Sequence, residues 1–325
     1  MRNDFENAVR EKNKLSLATE VFLATADELA SSLVFGADGE KGFPKENVLQ
    51  NEEFLKAYHF ARQSLSFDLP VPDETPTETK SYLASFREKN DCFACAYLLT
   101  AFCRKRAEIG HPLSLSDFLD GDGDPENSRI AYMRNSYSDA AYVVFSQGIK
   151  DASVLYPQSF AAVCEEVYYG RAGYCILPYE SSEEGVLSGF RRLISKYELS
   201  PVLTCSVVTD TAVQGTTRFA LFTKNVMRLD VKKLYAGKTV NEYLKITVGG
   251  PQERVLERVL FAASLSGLSC VKTESIPLPW DESSYSSDIT FLIDGADAVP
   301  FLLYLSLEIP ECEIGGVYTD ISDVG

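Results

Sequence analysis

Apolar residues in the first 125 positions recur with the spacing of amphipathic helices. One run extends from about residue 5 to residue 35, where Gly36 can end it, a second from about 52 to 67, and a third from about 80 to 109. The segment FDLPVPDETPTET, which contains three prolines, separates the second run from the third. The pattern therefore predicts an N-terminal helical bundle over residues 1–125.

The pattern changes after the polar stretch LDGDGDPENS at residues 119–128, which is typical of a linker. Short apolar runs then alternate with helical ones. The predicted strands are RIAYM, SVLYP, AGYCILPYE, PVLTCSVV and RFALFT, and the predicted helices are NSYSDAAYVVFS, SFAAVCEEVYYG and VLSGFRRLISKYE. Strands that alternate with helices predict a single-lobe α/β domain with parallel strands over residues 129–228.

A second alternation fills residues 240–322. LKITVG, LSCVKTESI, SSDITFLID and EIGGVYTDI are predicted strands, and QERVLERVLFAASLSG and AVPFLLYLSL are predicted helices. Their order is βαββαβ, the ferredoxin-like arrangement. We therefore expect a multi-domain α and α/β protein with a helical bundle, an α/β lobe and a ferredoxin-like domain.

Composition and charge narrow the possible functions. The chain has 31 basic and 47 acidic residues, a net charge of −16, and therefore repels phosphate backbones. Nucleic-acid binding is not expected as its main function. Its two histidines, His59 and His111, leave little for a histidine-based metal site or a serine–histidine catalytic site.

The cysteines and the N-terminus favour a cytoplasmic protein. The N-terminal segment MRNDFENAVREKNK has no apolar core of a secretion signal, and the longest nearly apolar stretch, Phe93 to Cys103, is too short to span a bilayer. The eight cysteines are scattered among apolar neighbours, so we expect free thiols. Cys92 and Cys95 form a C-x-x-C inside a helical run, which favours a buried helix face over a metal site.

Four short blocks, in one order, resemble the prephenate dehydratase family. They are a serine-containing helix start, a Ser-Phe helix start, a Gly-x-Ala block that continues to Pro-x-Glu and a later Gly, and a Thr-Arg-Phe strand. The matching residues are Ser136, Tyr137, Ser138, Ser159, Phe160, Gly170, Ala172, Pro178, Glu180, Ser182, Gly185, Thr217, Arg218 and Phe219. The resemblance implies half of a periplasmic-binding-protein-like fold and an enzyme of phenylalanine biosynthesis.

The stretch from Leu244 to Ile321 resembles the ACT domain that often follows this dehydratase. The family's Glu-Ser-Arg-Pro signature corresponds to Glu274, Ser275, Ile276 and Pro277. The resemblance implies that Glu274 and Ser275 belong to an allosteric site. ACT domains commonly pair with a second copy, so a homodimer is expected.

The family's reaction converts prephenate to phenylpyruvate with loss of water and carbon dioxide. By resemblance, Thr217 is the catalytic hydroxyl near the leaving group, Ser136, Ser138 and Ser182 bind carboxylate, and Arg218 adds positive charge. The reaction needs no metal, nucleotide or histidine, so no cofactor is expected. The expected ligand is a small carboxylate or aromatic metabolite. Alternatively, Thr217 is an ordinary strand residue and the serines are helix caps.

The match departs from the family at several positions. The stretch from Tyr132 to Thr217 is about half as long as in the family, and the missing part follows CSVVTD, where the family inserts a second lobe. The family's Asn in Glu-Asn-Ser is Ser181, and its Arg in the ACT signature is Ile276. Two hypotheses follow: a reduced dehydratase, or a non-catalytic relative that binds a metabolite and has a regulatory role.

A third hypothesis concerns the N-terminal helices. Chorismate mutase, a three-helix enzyme that binds a dicarboxylate with basic side chains, is often fused before this dehydratase. The predicted bundle offers candidate basic residues, although a solvated helix face explains each of them equally well: Arg10, Lys14, Arg62, Arg87 and Arg104.

Overall fold

The computed structural model describes residues 22–34, 48–65, 77–119, 125, 127–210, 215–231, 233–235, 237–249, 253–278 and 281–322. The chain forms two compact units. The helical unit comprises Met1–Asp117, Gln252–Leu268 and Asp297–Pro310, and the sheet unit comprises Phe118–Pro251, Ser269–Ala296 and Glu311–Gly325. The Asp-rich part of the predicted linker, residues 120–124, lies outside the described residues.

The helices follow the predicted pattern closely. They are α1 (22–34), α2 (Glu52–Leu65), α3 (Thr77–Glu108), α4 (Ser136–Phe145), α5 (Phe160–Tyr168), α6 (Ser188–Lys196), α7 (Glu253–Leu265) and α8 (Val299–Glu308). Residues 5–21 of the first predicted run lie outside the described residues. None of the helices in the described part of the chain has both the length and the apolar content needed to cross a bilayer.

In the described part of the chain, the strands match the predicted runs except for the two-residue β4, which was not predicted. They are β1 (Arg129–Ala131), β2 (Ser153–Leu155), β3 (Tyr174–Ser181), β4 (Gly185–Val186), β5 (Ser200–Asp210), β6 (Gly215–Thr223), β7 (Thr239–Val248), β8 (Ser269–Leu278), β9 (Asp281–Leu292) and β10 (Cys312–Ser322). They form one ten-stranded sheet in the order β2-β1-β3-β6-β5-β10-β7-β9-β8, with β4 paired to β3.

The helical unit is assembled from distant parts of the sequence. Its α1, α2 and α3 come from the N-terminal region, and its α7 and α8 come from the region predicted as ferredoxin-like. The rings of Phe54 on α2 and Phe102 on α3 lie 5.1 Å apart, and both side chains are buried. The Asn51 side chain begins α2 by accepting hydrogen bonds from the backbone amides of Glu53 and Phe54.

The expectation of parallel strands holds for only part of the α/β region. β1 pairs in parallel with β2 and β3, whereas β6 is antiparallel to both β3 and β5. The physical reason is the connection between β5 and β6: only residues 211–214 separate them, and a parallel pairing needs a crossover of a dozen residues or more.

The C-terminal elements follow the predicted βαββαβ order. Their strands pair in the order β10-β7-β9-β8, with antiparallel neighbours. However, β10 also pairs in parallel with β5, where Thr319 lies opposite Leu203. Residues 129–228 and 240–322, predicted as two domains, therefore contribute strands to a single sheet.

The sheet curls strongly along its length. Six steps between neighbouring strands separate β3 from β8, roughly 29 Å at the usual strand spacing. Nevertheless, Lys272 Nζ on β8 lies 2.8 Å from Glu180 Oε1 on β3. A flat sheet would leave the two side chains much too far apart to meet, so the sheet bends round and encloses a concave face.

Candidate functional site

The carboxyl ends of β1 and β3 form a topological switch point. β2 and β3 lie on either side of β1, and the connecting helices pack on opposite faces of the sheet. Phe145 of α4 belongs to one hydrophobic core and Val163 of α5 to the other. Ligands of open α/β sheets commonly bind in the crevice at such a point, so we call this edge the crevice.

Four of the predicted site residues lie along the crevice edge. Ser136 and Ser138 are in the first turn of α4, which follows β1. Ser182 directly follows β3, and Thr217 lies opposite Ser181 in the pairing of β3 with β6. The fold therefore places these residues at one edge of the sheet, although they come from three separate parts of the sequence.

Two of these serines are engaged in local structure. Ser138 is buried, and its Oγ accepts a hydrogen bond of 3.0 Å from the Asn135 side chain. The Ser182 Oγ accepts a hydrogen bond of 3.0 Å from the backbone amide of Thr216. The N-cap of α4 is Asn135 itself, whose Oδ1 accepts from the backbone amides of Tyr137 and Ser138. Ser136 is exposed at the helix start.

A charged and aromatic cluster extends the crevice beside α4. The Tyr132 hydroxyl donates to Asp139 Oδ1 at 2.9 Å, and burial raises the pKa of Tyr132. Arg134 Nε lies 3.9 Å from Asp139 Oδ2, and the guanidinium lies 5.3 Å from the ring centre of Tyr156. Because Arg134 is mostly exposed, it brings a positive charge to this edge of the sheet.

Thr217 and Arg218 point to opposite faces of the sheet. Successive strand residues alternate between faces, and β6 pairs without a bulge along its own backbone. Phe219 belongs to the core that contains α4 residues, and Ala220 belongs to the core that contains α5 residues. Thr217 therefore shares a face with α4 and the crevice, whereas Arg218 points away from it.

Arg218 belongs to an ionic network on the concave face. Its guanidinium lies 3.6 Å from Glu180 Oε2 and 3.8 Å from Asp320 Oδ1. Glu180 in turn accepts from Lys272, which also lies 3.2 Å from Glu274. The residue predicted to bind substrate and one predicted allosteric residue thus belong to a single network. Ser275, the other allosteric candidate, is exposed on the neighbouring position of β8.

Asp288 on β9 joins this network through Arg191, whose guanidinium also lies 3.8 Å from Glu274 Oε2. It accepts from Lys245 Nζ at 2.6 Å, from Arg191 on α6 at 2.9 Å and from Thr247 Oγ1 at 2.8 Å. Only 5% of its side chain is exposed. Burial alone would raise the pKa of Asp288, but Lys245, Thr247 and Arg191 outweigh burial and lower it.

A second polar cluster lies in the helical unit around Glu308 of α8. The Tyr58 hydroxyl donates to Glu308 Oε1 at 2.8 Å, and Arg62 lies 3.0 Å from Oε2. Arg258 of α7 lies 3.9 Å from Oε2 and donates to the Glu308 carbonyl at 3.2 Å. The Glu308 side chain is only 4% exposed. This carboxylate binds α2, α7 and α8 together.

Each basic residue considered for a chorismate mutase site either forms an ion pair or has a side chain outside the described residues. Arg62 pairs with Glu308, and Arg104 pairs with Asp27 at 2.6 Å. Arg10, Lys14 and the side chain of Arg87 lie outside the described residues. The structure therefore adds no argument for mutase chemistry in the helical unit.

Several residues of these clusters were not identified from the sequence. Arg134, Arg191, Lys245, Lys272 and Asp288 resemble ordinary surface charges in their local sequence. One feature of the sequence does point to them: on β7, the polar residues Tyr243, Lys245 and Thr247 alternate with apolar positions. This alternation indicates a strand with one polar face. In the part of the chain that the structure describes, no three His, Cys, Asp or Glu side chains are placed to hold a metal ion.

Several solved structures are similar to part of this chain. No protein-family model and no curated protein matches the sequence. Prephenate dehydratase from Streptococcus mutans is 18% identical with a TM-score of 0.46, over 60% of this chain and 98% of that chain. The protein described as GqqA, a novel type of quorum quenching acylase, is 23% identical with a TM-score of 0.43. That match covers 59% of this chain and 94% of that chain.

Prephenate dehydratase from Arthrobacter aurescens, solved in complex with L-Phe, is 13% identical with a TM-score of 0.44. The match covers 58% of this chain and 89% of that chain. At these identities and TM-scores, the likenesses carry no weight for the activity of this chain.

Proposed function

We propose that this chain is a prephenate dehydratase-like protein of phenylalanine biosynthesis that binds a small carboxylate or aromatic metabolite at the crevice without converting it. The observation that carries the proposal is the direct hairpin between β5 and β6, in which Asp210 pairs with Gly215. At this point the family it resembles inserts a second lobe. A dehydration site must surround its substrate, and the hairpin leaves no chain at this point to form a second wall.

The orientation of Thr217 and Arg218 supports the absence of turnover. A hydroxyl that protonates a leaving group and a cation that holds the substrate carboxylate must face the same ligand. Here the two side chains lie on opposite faces of β6, and Arg218 already faces the carboxylates of Glu180 and Asp320.

Ligand binding at the crevice is supported by its donors. Arg134 supplies an exposed guanidinium, and Ser136 begins the ten-residue helix α4, whose N-terminus attracts negative charge. The aromatic ring of Tyr156 lies beside Arg134 and offers a surface for the ring of an aromatic ligand. In this proposal, the allosteric candidates Glu274 and Ser275 act on the site only through the ionic network, which Glu274 enters by its contact with Lys272.

The test combines an activity assay with a binding measurement. Purified protein is mixed with prephenate while phenylpyruvate absorbance is followed, and prephenate and phenylpyruvate are titrated by calorimetry. We expect no phenylpyruvate but measurable binding, which Arg134→Gln weakens. Arg218→Gln is the matched control, because its side chain lies on the other face and its loss should leave the affinity unchanged. Turnover that Thr217→Ala abolishes would instead establish a working dehydratase.

A further inference from the structure

The helical unit contains a small polar cleft between α2 and α3. Its volume is about 150 Å³. His59, Arg62 and Gln63 of α2 form one wall, and Asp91, Ala94 and Cys95 of α3 form the other. Each set has the i, i+3, i+4 spacing that puts three side chains on one helix face, so two facing sets of three enclose the space.

The α2 wall presents hydrogen-bond donors to the cleft. Arg62 contributes a guanidinium that is 44% exposed, and His59 and Gln63 contribute imidazole and amide groups. Arg62 Nη2 lies 3.0 Å from Oε2 of the buried Glu308. This ion pair orients the guanidinium before any ligand binds. A planar, fixed guanidinium is well suited to bind a carboxylate.

The charges beneath the cleft favour an anion at Arg62. Arg62 and Arg258 both face the single carboxylate of Glu308. The neighbouring Tyr58 and Cys95 remain uncharged, because burial raises the pKa of Tyr58 well above its ordinary value and that of Cys95 to about 11. On the α2 side of the cleft, two positive charges thus face the one buried carboxylate of Glu308, whereas the Asp91 carboxylate lies on the opposite wall. A ligand carboxylate is therefore favoured at Arg62 and not at Asp91.

Asp91 on the opposite wall restricts the ligand further. Its carboxylate repels a second negative group and accepts a hydrogen bond from a donor. The small side chain of Ala94 leaves room between the walls. A cleft of this volume holds a molecule about the size of benzene.

We infer that the cleft binds a short monocarboxylate that carries a hydroxyl next to its carboxylate, that is, a small 2-hydroxy acid. The carboxylate contacts Arg62, and the hydroxyl donates to Asp91. This site lies wholly within the helical unit and is independent of ligand binding at the crevice.

The experiment titrates the full-length ¹⁵N-labelled protein with L-lactate, propionate and methyl lactate while amide shifts are followed by NMR. Lactate should bind with a dissociation constant on the order of millimolar, and propionate about tenfold more weakly because it cannot donate to Asp91. Methyl lactate, which has no negative charge, should not bind. If the ester shifts the amides of residues 59–63 and 91–95 as strongly as the acid does, or if lactate shifts none of them at tens of millimolar, the inference is wrong.

Three variants locate the site. Asp91→Asn should retain binding but lose the preference for lactate over propionate. Gln63→Trp should fill the cleft from its rim and abolish binding, and Ala94→Met is a second filling variant in case the first does not fold. A retained lactate preference in Asp91→Asn, or unchanged affinity in a folded filling variant, would place the ligand elsewhere.

Discussion

Lys272 Nζ on β8 lies 2.8 Å from Glu180 Oε1 on β3, although six steps of the sheet separate the two strands. Glu180 also faces Arg218, and Lys272 also faces Glu274. The contact therefore joins the edge strand β8 to β3 across the curled sheet and extends a chain of alternating charges over its concave face.

Loss of this contact should destabilise the sheet unit only slightly. Lys272→Met removes the cation that bridges Glu180 and Glu274, but both partners of the Lys272–Glu180 pair are partly exposed, so water screens the pair. We expect a decrease of about 0.5–1 kcal/mol in the free energy of unfolding, measured by urea denaturation. Lys150→Met, at an exposed position, is the control and should change stability less. Equal effects of the two variants would argue against a closing contact.

Substitution of Asp288 should be much more severe. Asp288→Asn leaves Lys245 and Arg191 without their shared carboxylate in a region where only 15% of the Lys245 side chain is exposed. Removal of one partner from a buried ion pair costs about 3–5 kcal/mol. Denaturant unfolding measures this loss, and Asp230→Asn at an exposed position is the matched control. A loss no larger than that of the control would show that the network does not stabilise the fold.

The stabilisation from Asp288 should depend on pH with a definite sign. Its pKa in the folded protein is lower than its ordinary value, so folding favours the charged form. The contribution is complete above an unfolded pKa of about 3.9 and is lost as the pH falls through the lower folded pKa. Melting temperatures measured from pH 7 to pH 2.5 should therefore fall less steeply at the acid end in Asp288→Asn than in the original protein. If the melting temperatures of the two proteins fell equally steeply between pH 4 and pH 2.5, the prediction would be wrong.

The sequence was sufficient to predict most of the elements, because their periodicities are local. The bounds of α2, α3 and the βαββαβ segment follow directly from the spacing of apolar residues. The period of two also implies that Thr217 and Arg218 face opposite ways. The family resemblance obscured that consequence, because it assigned both residues to one ligand.

Contacts between distant segments could not be predicted in this way. Nothing in the apolar pattern of β10 distinguishes pairing with β7 alone from additional pairing with β5. Likewise, Glu308 looks like a charge at the end of a helix, yet it is buried against residues 58 and 62. Both features depend on which surfaces meet after folding, as does the homodimer, which remains a prediction.

Glu308 should be essential for the stability of the helical unit. Glu308→Gln removes the negative charge that Arg62 and Arg258 share, while it keeps nearly the same volume. We expect the free energy of unfolding to fall by about 2–4 kcal/mol. This is less than for a fully buried ion pair, because Arg62 is partly exposed and water screens it. Thermal melts followed by the helical signal, to which α4, α5 and α6 of the sheet unit also contribute, measure this loss. Glu311→Gln, at an exposed position, is the control. An unchanged melt would show that Tyr58 and the arginines pack equally well without the charge.

The rate at which each cysteine is alkylated should depend on the exposure of its thiol and on the pKa of that thiol. Cys270 is exposed, whereas Cys95 and Cys103 are both buried, with Cys95 against the cleft. Burial raises the pKa of Cys95 to about 11 and that of Cys103 to about 12, and the thiolate is the reactive form.

At pH 7.5, iodoacetamide should therefore modify Cys270 first, and mass spectrometry should find Cys95 almost unmodified. Because only the thiolate reacts, the rate of modification at Cys95 should rise about tenfold for each pH unit up to about pH 10. Cys270→Ser simplifies the mass spectra without touching the cleft. Rapid modification of Cys95 near neutral pH would mean that its thiol is activated, and the cleft would then not carry the charge balance on which carboxylate binding depends.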